Sequence, residues 1–153
     1  RKKINSWKKY SFSFVFSNDK EYRKTPYYTD PMMKMFLFNK CLRPACHKCS
    51  FKDVNRPSDI TLADFWGVNG VARDLNDDKG MSLVLVHSEK GKELFEKIKD
   101  KIVFREVDFK KATRHNPLVK RSARKSPSRE RLMRHFKKLP FEKVVKRHGS
   151  GIL

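Results

Sequence analysis

Cys41, Cys46 and Cys49 are the residues best suited to carry chemistry in this chain, set out as C-x4-C-x2-C within CLRPACHKCS. Two thiolates separated by two residues can close on one metal ion or one edge of a cluster. The full spacing matches the first part of a plant-type iron–sulfur ligand set, whose fourth cysteine this sequence does not supply. Arg43, His47, Lys48 and Lys52 crowd the same stretch and are expected to favour thiolate over thiol. Two other readings stand beside the cluster. One is a zinc ion with His47 or an outside residue as fourth ligand; the other is three buried structural cysteines without metal. Three cysteines within nine positions and none elsewhere argue against a secreted disulfide framework and for a reducing compartment, so a cytoplasmic location is expected.

A second group follows closely. In Ser58-Asp59-Ile60-Thr61-Leu62-Ala63-Asp64, Ile60 and Leu62 alternate with Asp59 and Thr61, which predicts a half-buried strand that stops at Phe65-Trp66-Gly67. An acid, an indole and a glycine where a strand ends could line a pocket for a planar ring, because ligands of sheet proteins gather at strand ends. A tryptophan filling the core beside a turn glycine is the competing reading.

The elements that would position these groups are legible from periodicity. Tyr10, Phe12, Phe14 and Phe16 alternate with smaller residues, predicting an aromatic strand face that packs inward, and Ser17 to Lys20 turn the chain into a returning strand over Glu21 to Lys24. Asp30-Pro31 starts a helix through Asn39, apolar nearly all round and so expected to be buried on most sides or to meet another domain. Pro44 is expected to keep the cysteine segment extended, with the sulfurs projecting from a loop. Met81 to His87 reads as a strand buried on both faces. Ser88 caps a helix with Leu94, Phe95 and Ile98 as its core stripe, and Ile102 to Phe104 returns as a strand. Two basic helical stretches close the chain, docked by Leu132, Met133 and Phe136 and by Phe141, Val144 and Val145. Arg124, Lys125, Arg129 and Arg134 form their solvated face.

The expected class is α+β: a small mixed or antiparallel sheet with an N-terminal aromatic hairpin, packed by helices and followed by a helical basic tail. A chain of 153 residues suits a single domain, residues 1–153. It begins at Arg1, and RKKINSWKKY lacks the apolar core of a signal peptide, so the chain is expected to be part of a longer protein. No apolar run has the length of a membrane span. The formal charge is +20, and it is uneven: Lys101 to Leu153 carries seventeen Lys and Arg against four Asp and Glu. Such a surface suits an acidic protein partner, an anionic substrate, nucleic acid or simply solubility, and charge alone does not choose among them. No phosphate-binding glycine loop and no Gly-x-Ser-x-Gly motif occurs, which weakens nucleotide-kinase and hydrolase readings.

Taken together, LRPACHKCSFK, SDITLADFWGV and DDKGMSLVLVHSEKGKELFEKI resemble the C-terminal domain of the coenzyme F420 hydrogenase/dehydrogenase beta-subunit family, and the resemblance runs from the aromatic hairpin to the closing LPFEKVVKRHG. It implies the redox domain of an iron–sulfur flavoprotein oxidoreductase behind an upstream ferredoxin-type domain. Electrons would pass between a 4Fe–4S cluster, a flavin such as FAD, and coenzyme F420 or another acceptor. The resemblance makes Cys46 and Cys49 cluster thiolates, with Cys41 as a further metal candidate. It places Asp59, Ile60, Asp64, Trp66 and Gly67, together with Lys79, Gly80 and Ser82, at the border of the flavin. A redox partner protein and a small-molecule acceptor or sugar-linked substrate are the implied partners, and nucleic acid is not among them. The alternative is a basic structural module that binds a partner or nucleic acid without redox activity.

Overall fold

The computed structural model describes residues 6–149. In chain order these form β1 (Phe12–Val15), β2 (Glu21–Lys24), α1 (Pro31–Leu37), α2 (Pro44–His47), β3 (Ile60–Asp64), β4 (Ser82–Val86), α3 (Glu89–Ile98), α4 (Phe109–Thr113), α5 (Arg129–Lys138) and α6 (Phe141–His148), joined by short 3-10 turns. The strands pair as two separate antiparallel hairpins, β1 with β2 and β3 with β4. The class is α+β as expected, with the strands divided between two small sheets. The chain divides into two compact units, one from Arg1–Lys48 with Ala123–Leu153 and one from Cys49–Ser122.

In the first unit, Asp19 takes the left-handed conformation at φ 60° that closes the β1–β2 turn. Asp30 then starts α1. Its buried carboxylate accepts from the Met33 amide at 2.8 Å and from the Tyr22 hydroxyl at 2.6 Å, so one side chain caps the helix and ties it to β2. The hydrogen bond to Asp30, together with burial, pushes the Tyr22 hydroxyl up to about 12. Met35 of α1, Leu132 of α5 and Val144 of α6 are fully buried against one another, with Met133, Phe136, Leu139 and Val145 around them. Each such side chain contributes about 1.5–3 kcal/mol of burial.

Helix α1 is less enclosed than its composition suggests: Met32, Phe36 and Leu37, and Phe38 just after it, stay exposed. The aromatic strand face behaves similarly. Tyr10 is buried and stacks on Tyr27 at 4.0 Å, whereas Phe14 and Phe16 are exposed. The period of two is present, but packing partners meet only the Tyr10 end of that face, and Phe14 makes its ring contact with Phe12.

In the second unit, the register sets Leu62 opposite Val84 and Ala63 opposite Leu83. Leu83 belongs to a core with Phe65, Val68, Ala72 and Ala112, and Leu85 and Ala63 pack against it. Partners in a ladder share a face, so Thr61 and Ala63 face this core while Ile60 and Leu62 do not. The expected inward face of β3 is therefore reversed, and Leu62 is 71% exposed. For the same reason β4 is buried on one face only.

Ser88 caps α3 by accepting from the Gly91 amide at 3.1 Å and donates to the Asp59 carboxylate at 2.6 Å. Leu94 and Ile98 remain exposed instead of forming a core stripe, and Phe95 meets Phe104 edge-on at 5.1 Å. Ile102 to Phe104 is not a strand: among the described residues it has no ladder partner, and Val103 is 81% exposed.

Gly91 lies so close to β3 that a Cβ there would sit 2.3 Å from the Asp59 carbonyl oxygen. Gly91→Ala is expected to destabilise the chain by about 1–3 kcal/mol through overpacking, read as a lower urea midpoint, despite alanine's better helix propensity.

Candidate functional site

Cys41 follows α1 through Asn39, which holds φ 58° and ends the helix, and its side chain packs, half-buried, against the Met35, Leu132 and Val144 core. Burial pushes the Cys41 thiol up, and the Arg129 guanidinium acts against that rise. Arg43, His47, Lys48 and Lys52 were expected to favour thiolate; at Cys41 desolvation is the largest influence, and the charge that opposes it belongs to Arg129. Arg129 was expected on the solvated face, yet it is 8% exposed and donates through Nη1 to the Lys40 carbonyl at 3.1 Å. The first residue of α5, it lies three positions before Leu132 and so shares the core-facing side of the helix.

Cys46 sits on α2, a single helical turn, and not on an extended loop. Arg43 is extended, as the residue before a proline tends to be, and Pro44 occupies the first helical position, where its missing N–H costs nothing. The Ala123 amide donates to the Cys46 carbonyl at 3.0 Å, and His47 Nδ1 donates to the Ala123 carbonyl at 3.0 Å. That bond places the ring proton on Nδ1 of the neutral imidazole. The Nε2 atom is buried without a hydrogen-bond partner. Cys49 opens the second unit and donates its amide to Ser122 Oγ at 3.0 Å.

The donor chemistry of this segment suits a thiophilic metal, and an imidazole oriented through a backbone carbonyl with its other nitrogen open resembles a metal-binding histidine. Among the described residues no three His, Cys, Asp or Glu side chains come together as a metal site.

The ring-pocket candidates fall at the two ends of the β3–β4 hairpin, whose five-residue strands span about 13 Å. Asp59 and Ile60 lie at one end. Asp59 is bound to Ser88 Oγ and lies 3.7 Å from Lys90, and Ile60 packs at Gly91. At this end Val86, His87, Ser88, Glu89, Lys92 and Phe95 line a shallow open groove of about 530 Å³.

Asp64, Trp66, Gly67, Lys79, Gly80 and Ser82 gather at the other end. Asp64 pairs with Ser82, and the Phe65 amide donates to the Met81 carbonyl at 3.0 Å. Gly80 takes φ 95°, a conformation that favours glycine, and Lys79 is 3.8 Å from Asp77. Trp66 is 57% exposed, so it is not the core tryptophan of the competing reading. Buried Asn116 holds this end in place, donating through Nδ2 to the Asp64 carbonyl at 2.6 Å and accepting the Trp66 amide at 3.3 Å. His115 lies beneath Gly67, 3.2 Å from where a Cβ would be. Sequence reasoning missed both residues, because contacts made across some fifty positions leave no local periodicity.

With these positions in view, the comparison with protein families is direct. The family model for the C terminus of the coenzyme F420 hydrogenase/dehydrogenase beta subunit matches residues 2–112. The chain belongs to this family. No curated protein and no solved structure matches it. The three cysteines and both ends of the β3–β4 hairpin lie within the span shared with the F420 hydrogenase/dehydrogenase beta subunits. His115, Asn116 and helices α5 and α6 lie beyond it, although the resemblance in sequence was read to the end of the chain.

Two outcomes are expected. Asn116→Ala removes the side-chain bonds to the Asp64 carbonyl and the Trp66 amide, leaving their mutual contact at 3.2 Å, and should cost about 1–3 kcal/mol in chemical denaturation. In a Cys46→Ser/Cys49→Ser background, iodoacetamide should modify Cys41 slowly at neutral pH and faster as pH rises. Arg129→Met should slow it further, because the guanidinium favours the thiolate.

Proposed function

We propose that this chain is the C-terminal redox domain of a longer iron–sulfur flavoprotein oxidoreductase, acting behind an upstream ferredoxin-type domain. Membership of the F420 hydrogenase/dehydrogenase beta-subunit family carries the reading, since the match takes in the whole cysteine segment and the β3–β4 hairpin. A bound flavin would supply hydride and single-electron chemistry, leaving the protein to position and shield it. The Trp66 end of the hairpin offers what such a ring needs: an exposed indole, the Lys79 ammonium and a glycine turn on a hairpin end fixed by Asn116. Coenzyme F420 is the acceptor the family name suggests, and a sugar-linked intermediate is a second substrate class. The 4Fe–4S cluster is assigned to the whole protein, with Cys46 and Cys49 as its candidate thiolates in this domain.

The charge of +20 and the exposed basic faces of α5 and α6 favour a second reading, a module that docks an acidic partner. Binding of that kind weakens steeply with salt.

The intact protein, purified without air, should carry iron, acid-labile sulfide and flavin. Colourless protein free of metal and flavin would overturn the redox reading and leave the docking module.

A further inference from the structure

We propose that the contact between His135 and His148 is a proton-operated latch that holds α6 against α5. His135 lies in the last turn of α5 and His148 is the last residue of α6. Their rings meet at 4.9 Å between centroids, and His135 Nδ1 lies 2.7 Å from His148 Nε2. His148 is buried, its carbonyl accepts from Lys40 Nζ at 3.2 Å, and the following Gly149 is packed against Pro31 at the start of α1. The contact therefore gathers the ends of both tail helices at α1, beside the Met35, Leu132 and Val144 core.

A hydrogen bond between two imidazoles needs one N–H and one lone pair. The neutral pair satisfies this, and so does the pair carrying one extra proton, with imidazolium as donor and imidazole as acceptor. A second proton removes the lone pair and sets two cations face to face. The surroundings oppose protonation from each side: Lys40 follows α1, Arg131 and Arg134 belong to α5 and Arg147 to α6, and among the described residues no carboxylate is one of the charged groups that shift either ring. Burial is the largest influence on both rings and acts in the same direction, so both are held below the ordinary histidine value. A divalent metal is a poor occupant for nitrogens ringed by four cations.

The sign follows from linkage. A base whose pKa is lower in the folded state binds more protons when unfolded, so its share of stability is complete above the unfolded value of about 6.5 and is lost as pH falls below it. The two rings titrate as a coupled pair, the second proton being the one that opens the latch. Release of α6 would uncover Val144 and, with it, the core that Cys41 packs against.

The test uses the whole chain, followed by histidine ring proton signals and by urea unfolding between pH 5 and pH 8. The expected result is two ring titrations below the ordinary histidine range, and an unfolding equilibrium constant that rises several-fold from pH 7 to pH 5. In His135→Asn/His148→Gln, whose amides can hydrogen-bond but cannot gain charge, that pH dependence should flatten. Ring titrations of the wild type at ordinary values, or a variant that folds and keeps the wild-type pH dependence, would overturn the proposal. If the variant does not fold, the wild-type titrations decide alone. Protection of the α6 amides, taken relative to their intrinsic exchange at each pH, that falls below pH 6 in the wild type would support the latch, and protection that stays constant would count against it.

Discussion

Burial of Met35 against Leu132 and Val144 is the constraint on which the first unit depends. Met35 comes from a helix separated by most of the chain from consecutive α5 and α6, which supply Leu132 and Val144, and each of the three is removed completely from water. Their packing draws in Cys41 and brings the first residue of α5 to it, so a buried guanidinium and a half-buried thiol become neighbours as a consequence of core formation. A cation in that position without a carboxylate would be costly if sealed from water. Its bond to the Lys40 carbonyl and its closeness to a group able to become a thiolate both lessen that cost. The charge that acts on the Cys41 thiol thus comes from α5, a helix that lies outside the span shared with the family.

The second unit is built around a different economy. A two-stranded sheet has only one face to bury, and β3–β4 spends it on Leu83, Leu85 and Ala63. What remains outward is large: Leu62 and Val86 on the sheet, Leu94 and Ile98 on α3, then Ile102 to Phe104. The hairpin end that carries Trp66 is fixed from behind by Asn116, which bonds both the Asp64 carbonyl and the Trp66 amide.

Much of this was readable from residue order. The Asp30 and Ser88 caps, the hairpin turn at Asp19, the four strands of the described residues and the docking residues of α5 and α6 follow from local rules that the chain obeys, except that Phe141, expected to dock α6, is 57% exposed. Which face each element buries did not follow. Alternation along β3 named two candidate faces, and only the pairing with β4 decided between them. Continuous apolar runs such as Ser82 to Val86 and Met32 to Phe38 suggested burial all round, but a two-stranded sheet and a three-helix packing offer too few neighbours to provide it. Proline at position 44 was a sign of extension for the residue before it and of a helical start for itself. Arg129, Asn116 and the His135–His148 contact are long-range polar arrangements, and a single sequence carries no signal for those.

Membership of a redox-enzyme family, an exposed indole on a braced hairpin end and a thiol-rich segment all bear on one claim: that the protein containing this domain cycles electrons through bound cofactors. The most direct measurement is a reductive titration of the intact anaerobic protein with dithionite, followed by visible absorption and electron paramagnetic resonance. The account predicts bleaching that reverses when an acceptor is added, together with a paramagnetic signal from a reduced cluster. An unchanging spectrum and no signal throughout the titration would contradict it.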